Sequence, residues 1–415
     1  ISAVVIAYIA MEHLSAKPLV VPSGWFTPFF HWRLDDLNWT GIINEVNAKI
    51  KSDGYSLFGI FFMMMVFKGI LASLAGPAPN YDMQKVLSTK SPRDAAKMSG
   101  FVSIVLLPVR YAMIMGFTVL ALLHYDQLDL RSASGIDFEK ILPAAIQQFV
   151  PAGLLGLLLA GLLAAFMGTF AGTLNAAQAY IVNDIYLKYV SPAASNRRIA
   201  RMNYASGLLV AGLGILMGLF AKDVNSILQW IVSALYGGYV AANVLKWHWW
   251  RFNASGFFWG MLAGIVPALI LPYVFGDTLE LYYFPLLLGL SLAGCIAGSL
   301  LTAPTDSGTL KSFYKTVRPW GFWGPVHAQV VADDPTFEAN KNFRLDVFNI
   351  VIGVVAQCCL TMLPMYLIVK MRTEFFVTLG LLAVCALMLK RTWWDRLPTD
   401  SPETVPVSTK RVLTH

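Results

Sequence analysis

Between Ala160 and Tyr180 the chain reads AGLLAAFMGTFAGTLNAAQAY. The stretch is apolar enough to sit in hydrocarbon, yet Gly168, Thr169, Gly172, Thr173 and Asn175 interrupt it. Two physical uses account for such residues inside a span. Small residues let membrane helix backbones approach closely without a hydrophobic driving force, and they recur at four-residue spacing at Ala164-Gly168-Gly172, Gly214-Gly218, Gly256-Gly260-Gly264 and Gly294-Gly298. Hydroxyls either bond a carbonyl of their own helix or join helix carbonyls in ligating a hard cation, which wants oxygen and no buried countercharge. The residues alone leave both uses open.

The remainder of the chain fits a membrane setting. Its 415 residues are 57% hydrophobic and 13% charged, with mean hydropathy +0.60, against about 25% charge in a soluble domain. Apolar runs of about 20 residues, long enough to cross a bilayer, centre on 55–76, 99–124, 152–184, 202–221, 226–247, 256–276, 282–303, 346–369 and 374–391. An all-α polytopic membrane protein with nine full spans is expected, since the short alternating segments of a β-barrel are missing from the pattern. The opening run, 1–12, is too short to span and reads as the second half of a helix, so further chain is expected before it. The net charge of +7 is not gathered into a basic tract interleaved with aromatics, so nucleic acid is not an expected partner. Cys295, Cys358, Cys359 and Cys385 lie in apolar runs without a CxxC or His/Cys cluster, which supports neither a disulfide framework nor a zinc site. The scattered histidines read as structural.

Lys and Arg mark the cytoplasmic loops of a membrane protein. Lys85, Lys90, Arg93 and Lys97 fall in one connection, and Lys188, Arg197, Arg198 and Arg201 in another. Lys246 and Arg251, the 304–344 loop and the tail from Lys390 continue the series, while the intervening loops are acidic or near neutral. The alternation places the C-terminus and the 304–344 loop in the cytoplasm, with the KMRTE segment as the one weak exception. Residues 13–54 then lie outside. Their aromatic stretch GWFTPFFHWRLDDLNWTGIINEVNAKI is either an interfacial helix over an entrance or an aromatic belt anchor.

Two motifs carry a family resemblance. The helix holds Ala164-Ala165, Met167-Gly168-Thr169, Leu174-Asn175 and Asp184-Ile185-Tyr186 in order, and the loop after 55–76 holds Gln84-Lys85-Val86-Leu87 with Lys90-Ser91. In these the chain resembles the sodium:solute symporter family, which includes sodium/sugar, sodium/proline and sodium/sialate carriers. The resemblance implies a LeuT-type inverted-repeat helical bundle. Residues 1–12 would end the fifth helix of a partial first repeat, 55–276 would form the complete second five-helix repeat, and 277–391 would be extra C-terminal helices before a cytoplasmic tail at 392–415. It also implies sodium as the coupling ion, with Ala165, Gly168 and Thr169 at the ion-site positions. Gly168 departs from the family there by removing one hydroxyl. Ala171 and Gly172 stand where a second ion would need hydroxyls, so one ion is expected.

Lys68 and Arg110 lie about nine and about eleven residues inside their spans, about 13–17 Å deep at 1.5 Å per residue. Ionisable groups at that depth cost on the order of 3 kcal/mol and are functional candidates by default. They either pair with carboxylates elsewhere, or snorkel, or contact an anionic substrate. Together with Ser73, at the break Ala72-Ser73-Leu74-Ala75-Gly76-Pro77, they are the candidate substrate contacts, and they fit a carboxylate or sugar acid better than a neutral hexose. Pro77 and Pro79 cannot continue a regular helix, so 76–79 is a helix stop or a hinge. The segment VRPWGFWGPV (317–326) suggests no chemistry.

The expected function is secondary active transport: sodium-coupled symport of a small polar organic solute across the inner membrane of a bacterium. No P-loop, catalytic triad or haem ligand pair points to an enzyme, and no cofactor beyond sodium is expected. A membrane sensor of the same fold and a sodium-independent degenerate carrier remain as alternatives. A sensor would carry a long cytoplasmic catalytic region after the last span.

Overall fold

The computed structural model describes residues 1–21, 32–34, 47, 50–51, 54–76, 85–132, 135–219, 238–275 and 280–397. The aromatic stretch 24–50, Gln84, the prolines at 77 and 79, the first part of the 226–247 span and the tail from 398 lie mostly or wholly outside those residues.

The described chain is helical nearly throughout. In order it forms α1 (Ser2–Ala16), α2 (Phe58–Leu74), α3 (Pro92–Leu123), α4 (Ile141–Phe149), α5 (Ala152–Ala179), α6 (Asn196–Leu219), α7 (238–248), α8 (Ala254–Phe275), α9 (Phe284–Leu300), α10 (Ser307–Val317), α11 (Gly324–Asp333), α12 (Phe343–Val369) and α13 (Arg372–Thr392). The exception is a two-residue antiparallel pairing, Arg131 with Ile136 and Ser132 with Gly135. Among the described residues seven helices are long and apolar enough to cross a membrane, and α1 and α9 are shorter apolar helices. Lipid offers backbone groups no partner, so spans close their hydrogen bonds internally, and the fold is an all-α polytopic membrane protein. The expected spans all fall on helices as far as they are described. Two of them run further than the hydropathy suggested. Residues 99–124 belong to a helix that starts at Pro92, where the Ser91 hydroxyl accepts from the Asp94 amide at 3.2 Å. The span beginning at 152 continues past Ala179 as a π-helix, Tyr180–Val190.

Glycine spacing decides the tightest contact. α8 and α9 pack along each other through Gly256 and Gly260 on one helix and Gly294 and Gly298 on the other. A Cβ on Gly260 would stand 2.0 Å from Cys295 Sγ, and one on Gly298 would stand 2.9 Å from the Ser255 carbonyl oxygen. The buried Ser291 hydroxyl donates within this crowded layer, reaching the carbonyls of Gly260 (2.9 Å) and Gly238 (3.1 Å) and so joining α7 to the pair. The same four-residue spacing does not act alike everywhere. A Cβ on Gly168, Gly214 or Gly218 would meet nothing within 4 Å, so the close packing suggested by Gly214-Gly218 and by Gly168 is not made among the described residues.

A second core joins α1, α3 and the end of α12: Ala7 and Ala10 pack with Val119, Leu120 and Ile368. At one end of this contact His13 Nδ1 lies 2.9 Å from His124 Nε2, and Lys17 Nζ donates to the Leu123 carbonyl at 2.6 Å. Both imidazoles rest on Phe149, at the end of α4. Desolvation, then the charges of His13 and Lys17, push the His124 imidazole below its ordinary value of 6.5. The folded state therefore binds fewer protons at this site than the unfolded chain, and the stability involved is present above pH 6.5 and falls away below it.

Gly298→Val is expected to destabilise the protein by about 1–3 kcal/mol, the usual cost of overpacking, whereas Gly214→Val leaves thermal unfolding in detergent unchanged. His124→Gln is expected to flatten the loss of thermal stability on acidification within about pH 5–8, the range of imidazole titration.

Candidate functional site

On α5, residues 165, 168, 169 and 172 recur at three- and four-residue spacing and so share one face. Ala165, Gly168 and Thr169 are all exposed on the described chain. The two threonines of this helix behave differently. Thr173 Oγ1 donates to the Thr169 carbonyl at 2.9 Å, which accounts for that hydroxyl as a bond within its own helix. Thr169 Oγ1 makes no hydrogen bond among the described residues, and no side chain there donates to the Ala165 carbonyl. The face thus presents a hydroxyl without a hydrogen bond and a carbonyl engaged by the helix ladder alone, next to a glycine whose Cβ position is open. Further along the helix, α5 is fixed against α6 by Gln178, whose side chain occupies the space a Cβ on Gly207 would need.

Lys68 and Ser73 sit on α2 but on different sides of it. Lys68 is buried, whereas Ser73 is exposed and donates to the Gly69 carbonyl at 2.9 Å. Ser73 lines a cleft of about 780 Å³ together with Gly69 and Ile70 of α2 and Ile350 of α12. Arg110 is exposed on α3. α2, α3 and α5 do not pack along one another in the described structure. The ion-site positions come together, but Lys68, Ser73, Arg110 and Thr169 are not gathered into one pocket.

Residues that the sequence left without a role form the end of this cleft. Trp247 Nε1 donates to the Ala75 carbonyl at 3.0 Å, capping α2, and a Cβ on Gly76 (φ +76°) would stand 2.9 Å from that same nitrogen. Trp323 Nε1 in turn donates to the Trp247 carbonyl at 2.9 Å, and the Phe322 amide to the His248 carbonyl at 2.7 Å. The 317–326 segment is therefore a docking edge. It belongs to a small module in which α10 and α11 bury Tyr314, Trp323, Val326 and Val330. Asp306 caps α10, and the Thr309 amide at 2.9 Å holds its carboxyl below the ordinary range. The signal for these contacts lay in NVLKWHWWRFN, where Trp247, Trp249 and Trp250 stand between Lys246 and Arg251 and Phe252 follows.

Comparison with known proteins follows the same division. The model of the sodium:solute symporter family matches residues 47–264, which contain α2 to α7 and the exposed face of α5. The chain belongs to the sodium:solute symporter family. Its relatives include sodium/glucose cotransporter 4 of Danio rerio, 26% identical over 39% of this chain and 28% of the relative. A sodium/glucose cotransporter of Vibrio parahaemolyticus is 23% identical over 47% of this chain and 38% of the relative. Solute carrier family 5 member 4B of Mus musculus is 22% identical over 48% and 33%. The matched part of the chain spans between 28% and 38% of the length of these curated relatives.

Proposed function

We propose that this family member takes part in sodium-coupled symport of a small polar organic solute, with α5 supplying ligands to the ion. The observation that carries this is the Thr169 hydroxyl, uncommitted beside the Ala165 carbonyl on one face of a membrane helix. Sodium is a hard cation, and neutral oxygens from a span ligate it without burying a second full charge. On this reading 55–276 is the second repeat of a LeuT-type bundle, the ion lies between α5 and a helix of the first repeat, and transport is by alternating access without covalent chemistry. The Lys/Arg bias puts the α10–α11 module and the C-terminus in the cytoplasm, and the family reading with that orientation suits a bacterial inner membrane.

Lys68 and Arg110 favour a carboxylate or sugar acid as the solute, since each places a cation at mid-span where neutral sugars need none. The relatives named for glucose support the sodium-coupled reading in general. In this chain the break at 72–76 holds neither Asn nor an aromatic side chain to hold a neutral hexose. One observation favours a second reading, transport without sodium: Gly168 supplies no hydroxyl where the family has one.

Uptake by the full-length protein in liposomes, with and without a sodium gradient, separates these readings. Thr169→Val is expected to raise the sodium concentration needed for half-maximal uptake by about tenfold or more, the scale of one contact to a charged group. Gly168→Ser, which fits the open Cβ position, is expected to lower it. Sodium-independent uptake in wild type and both variants would establish the second reading. Neutral hexose uptake unaffected by Lys68→Ala and Arg110→Ala would exclude the acidic solute.

A further inference from the structure

The cleft between α2 and α12 has a chemistry unlike that of a solute site. Its long walls are apolar: Val66, Ile70 and Leu74 on α2 face Ile350 and Val354 on α12, and all five are about half exposed. The hydroxyl on these walls, that of Ser73, is turned back to the Gly69 carbonyl. A small polar solute needs convergent polar partners within its pocket, and here polar groups gather at one end alone. That end holds Arg318 and Trp320 of the loop after α10, with His248 of α7 and Asn340.

Arg318 is the cation at that end. The neighbouring lysines are committed within the module: Lys311 to Asp333 at 2.7 Å, Lys341 to Glu338 at 2.7 Å, and Lys315 to Asp334 at 4.0 Å. Among the described residues Arg318 makes no ion pair. Its guanidinium lies over the Phe337 ring at 5.2 Å, and Glu338 feels its charge from beyond ion-pair distance. His248 is engaged through Nδ1 with the Trp320 carbonyl at 3.2 Å. Trp320 itself stands edge-on to Phe343 at the start of α12, in the position of an interfacial aromatic.

We propose that this cleft binds one anionic phospholipid from the leaflet beside the basic loops, with its headgroup at Arg318 and an acyl chain between α2 and α12. Half-exposed apolar walls and a cation at one end complement an amphiphilic anion in both shape and charge. Basic pockets between membrane helices on the cytoplasmic side recognise such headgroups by the same physics. Of the candidate substrate contacts Ser73 lines the cleft, with its hydroxyl turned back to its own helix, whereas the α5 face and Arg110 do not.

Two substitutions test it with little disturbance of the fold. Gly69 lines the cleft and a Cβ built on it meets nothing within 4 Å, so Gly69→Leu adds apolar volume to the cleft. Arg318 has φ +49°, a conformation that asparagine tolerates, so Arg318→Asn removes the charge and keeps the turn. The full-length protein in detergent is offered equal amounts of phosphatidylglycerol and phosphatidylcholine with identical acyl chains, and retained lipid is counted by native mass spectrometry. Wild type is expected to retain one phosphatidylglycerol with a preference of about fivefold, the scale of one basic side chain against an anionic headgroup. Arg318→Asn is expected to bring that preference to parity, and Gly69→Leu to abolish retention of both lipids. Three results overturn the proposal: equal retention by wild type and Arg318→Asn, displacement of the lipid by glycerol phosphate, or a dimer without a lipid adduct. The second would mean a soluble anion site, the third a cleft covered by another copy. Sodium-dependent uptake is read separately, so its failure would not be confused with any of these.

Discussion

Hydrocarbon is as apolar as leucine, so membrane helices cannot be held together by escaping from it. What holds them is proximity of backbones, and in this chain proximity is set where α8 meets α9. Gly256, Gly260, Gly294 and Gly298 leave no room for a side-chain carbon, and only at that separation does one hydroxyl, Ser291, reach the carbonyls of two neighbouring helices. Order spreads from the pair by directed hydrogen bonds. Asn253 accepts from the Gly256 amide and donates to Thr302 and Ala303 beyond the end of α9. Arg251 adds a bond to the Thr302 carbonyl at 2.7 Å. The next residues back, Trp247 to Trp250, receive the α10–α11 module, and Trp247 donates to the Ala75 carbonyl at the end of α2. The end of α2 is thus tied to the glycine-packed pair through Trp247, Arg251 and Asn253.

Charge has a lesser part in that connection. The ion pairs of the module are exposed on at least one side, and such pairs contribute at most about 1 kcal/mol each. Its coherence comes from Tyr314 and Trp323, which stack with their ring centroids 5.9 Å apart over Val326 and Val330. The carboxylates Asp306, Asp334 and Glu338 act locally, accepting from Thr309, Thr336 and Lys341 respectively. They close helix ends and turns, while the aromatic cluster joins module to membrane domain.

How far the fold could be read in advance follows from which forces have a sequence period. Span positions were legible because each is a run of about 20 apolar residues, and helices stand at all of those runs that the structure describes. The α8–α9 contact was legible because close approach leaves a four-residue glycine spacing. Gly214 and Gly218 carry the same spacing and face open space, since spacing records the opportunity for contact and not the partner. The face of α5 could be named from motif order, but the commitment of Thr173 and the freedom of Thr169 could not. That difference depends on rotamers one turn apart. Trp247, Trp323, His13 and His124 left no periodic signal at all, because each finds its partner across a large separation in sequence. Asn253 was the exception: an asparagine directly before the apolar run of α8 is an N-cap in the plain sense, and its chemistry was present in the letters.

Glycine at 168 has a consequence for the proposed ion site that reaches beyond a missing ligand. A serine there would compete with Thr169 for the carbonyls one turn back, as Thr173 does for the carbonyl of Thr169. Without it, the Ala165 carbonyl, which already accepts the Thr169 amide of the helix ladder, meets no second hydroxyl from position 168. The site that results is poorer in oxygens but less committed to its own helix, and more of its coordination must come from the helix opposite or from water. Such a site would bind its ion weakly until the opposing helix closes on it. In a carrier that alternates between two states, this makes ion affinity a measure of closure, so the coupling between ion and conformation would be strengthened by the same change that weakens binding.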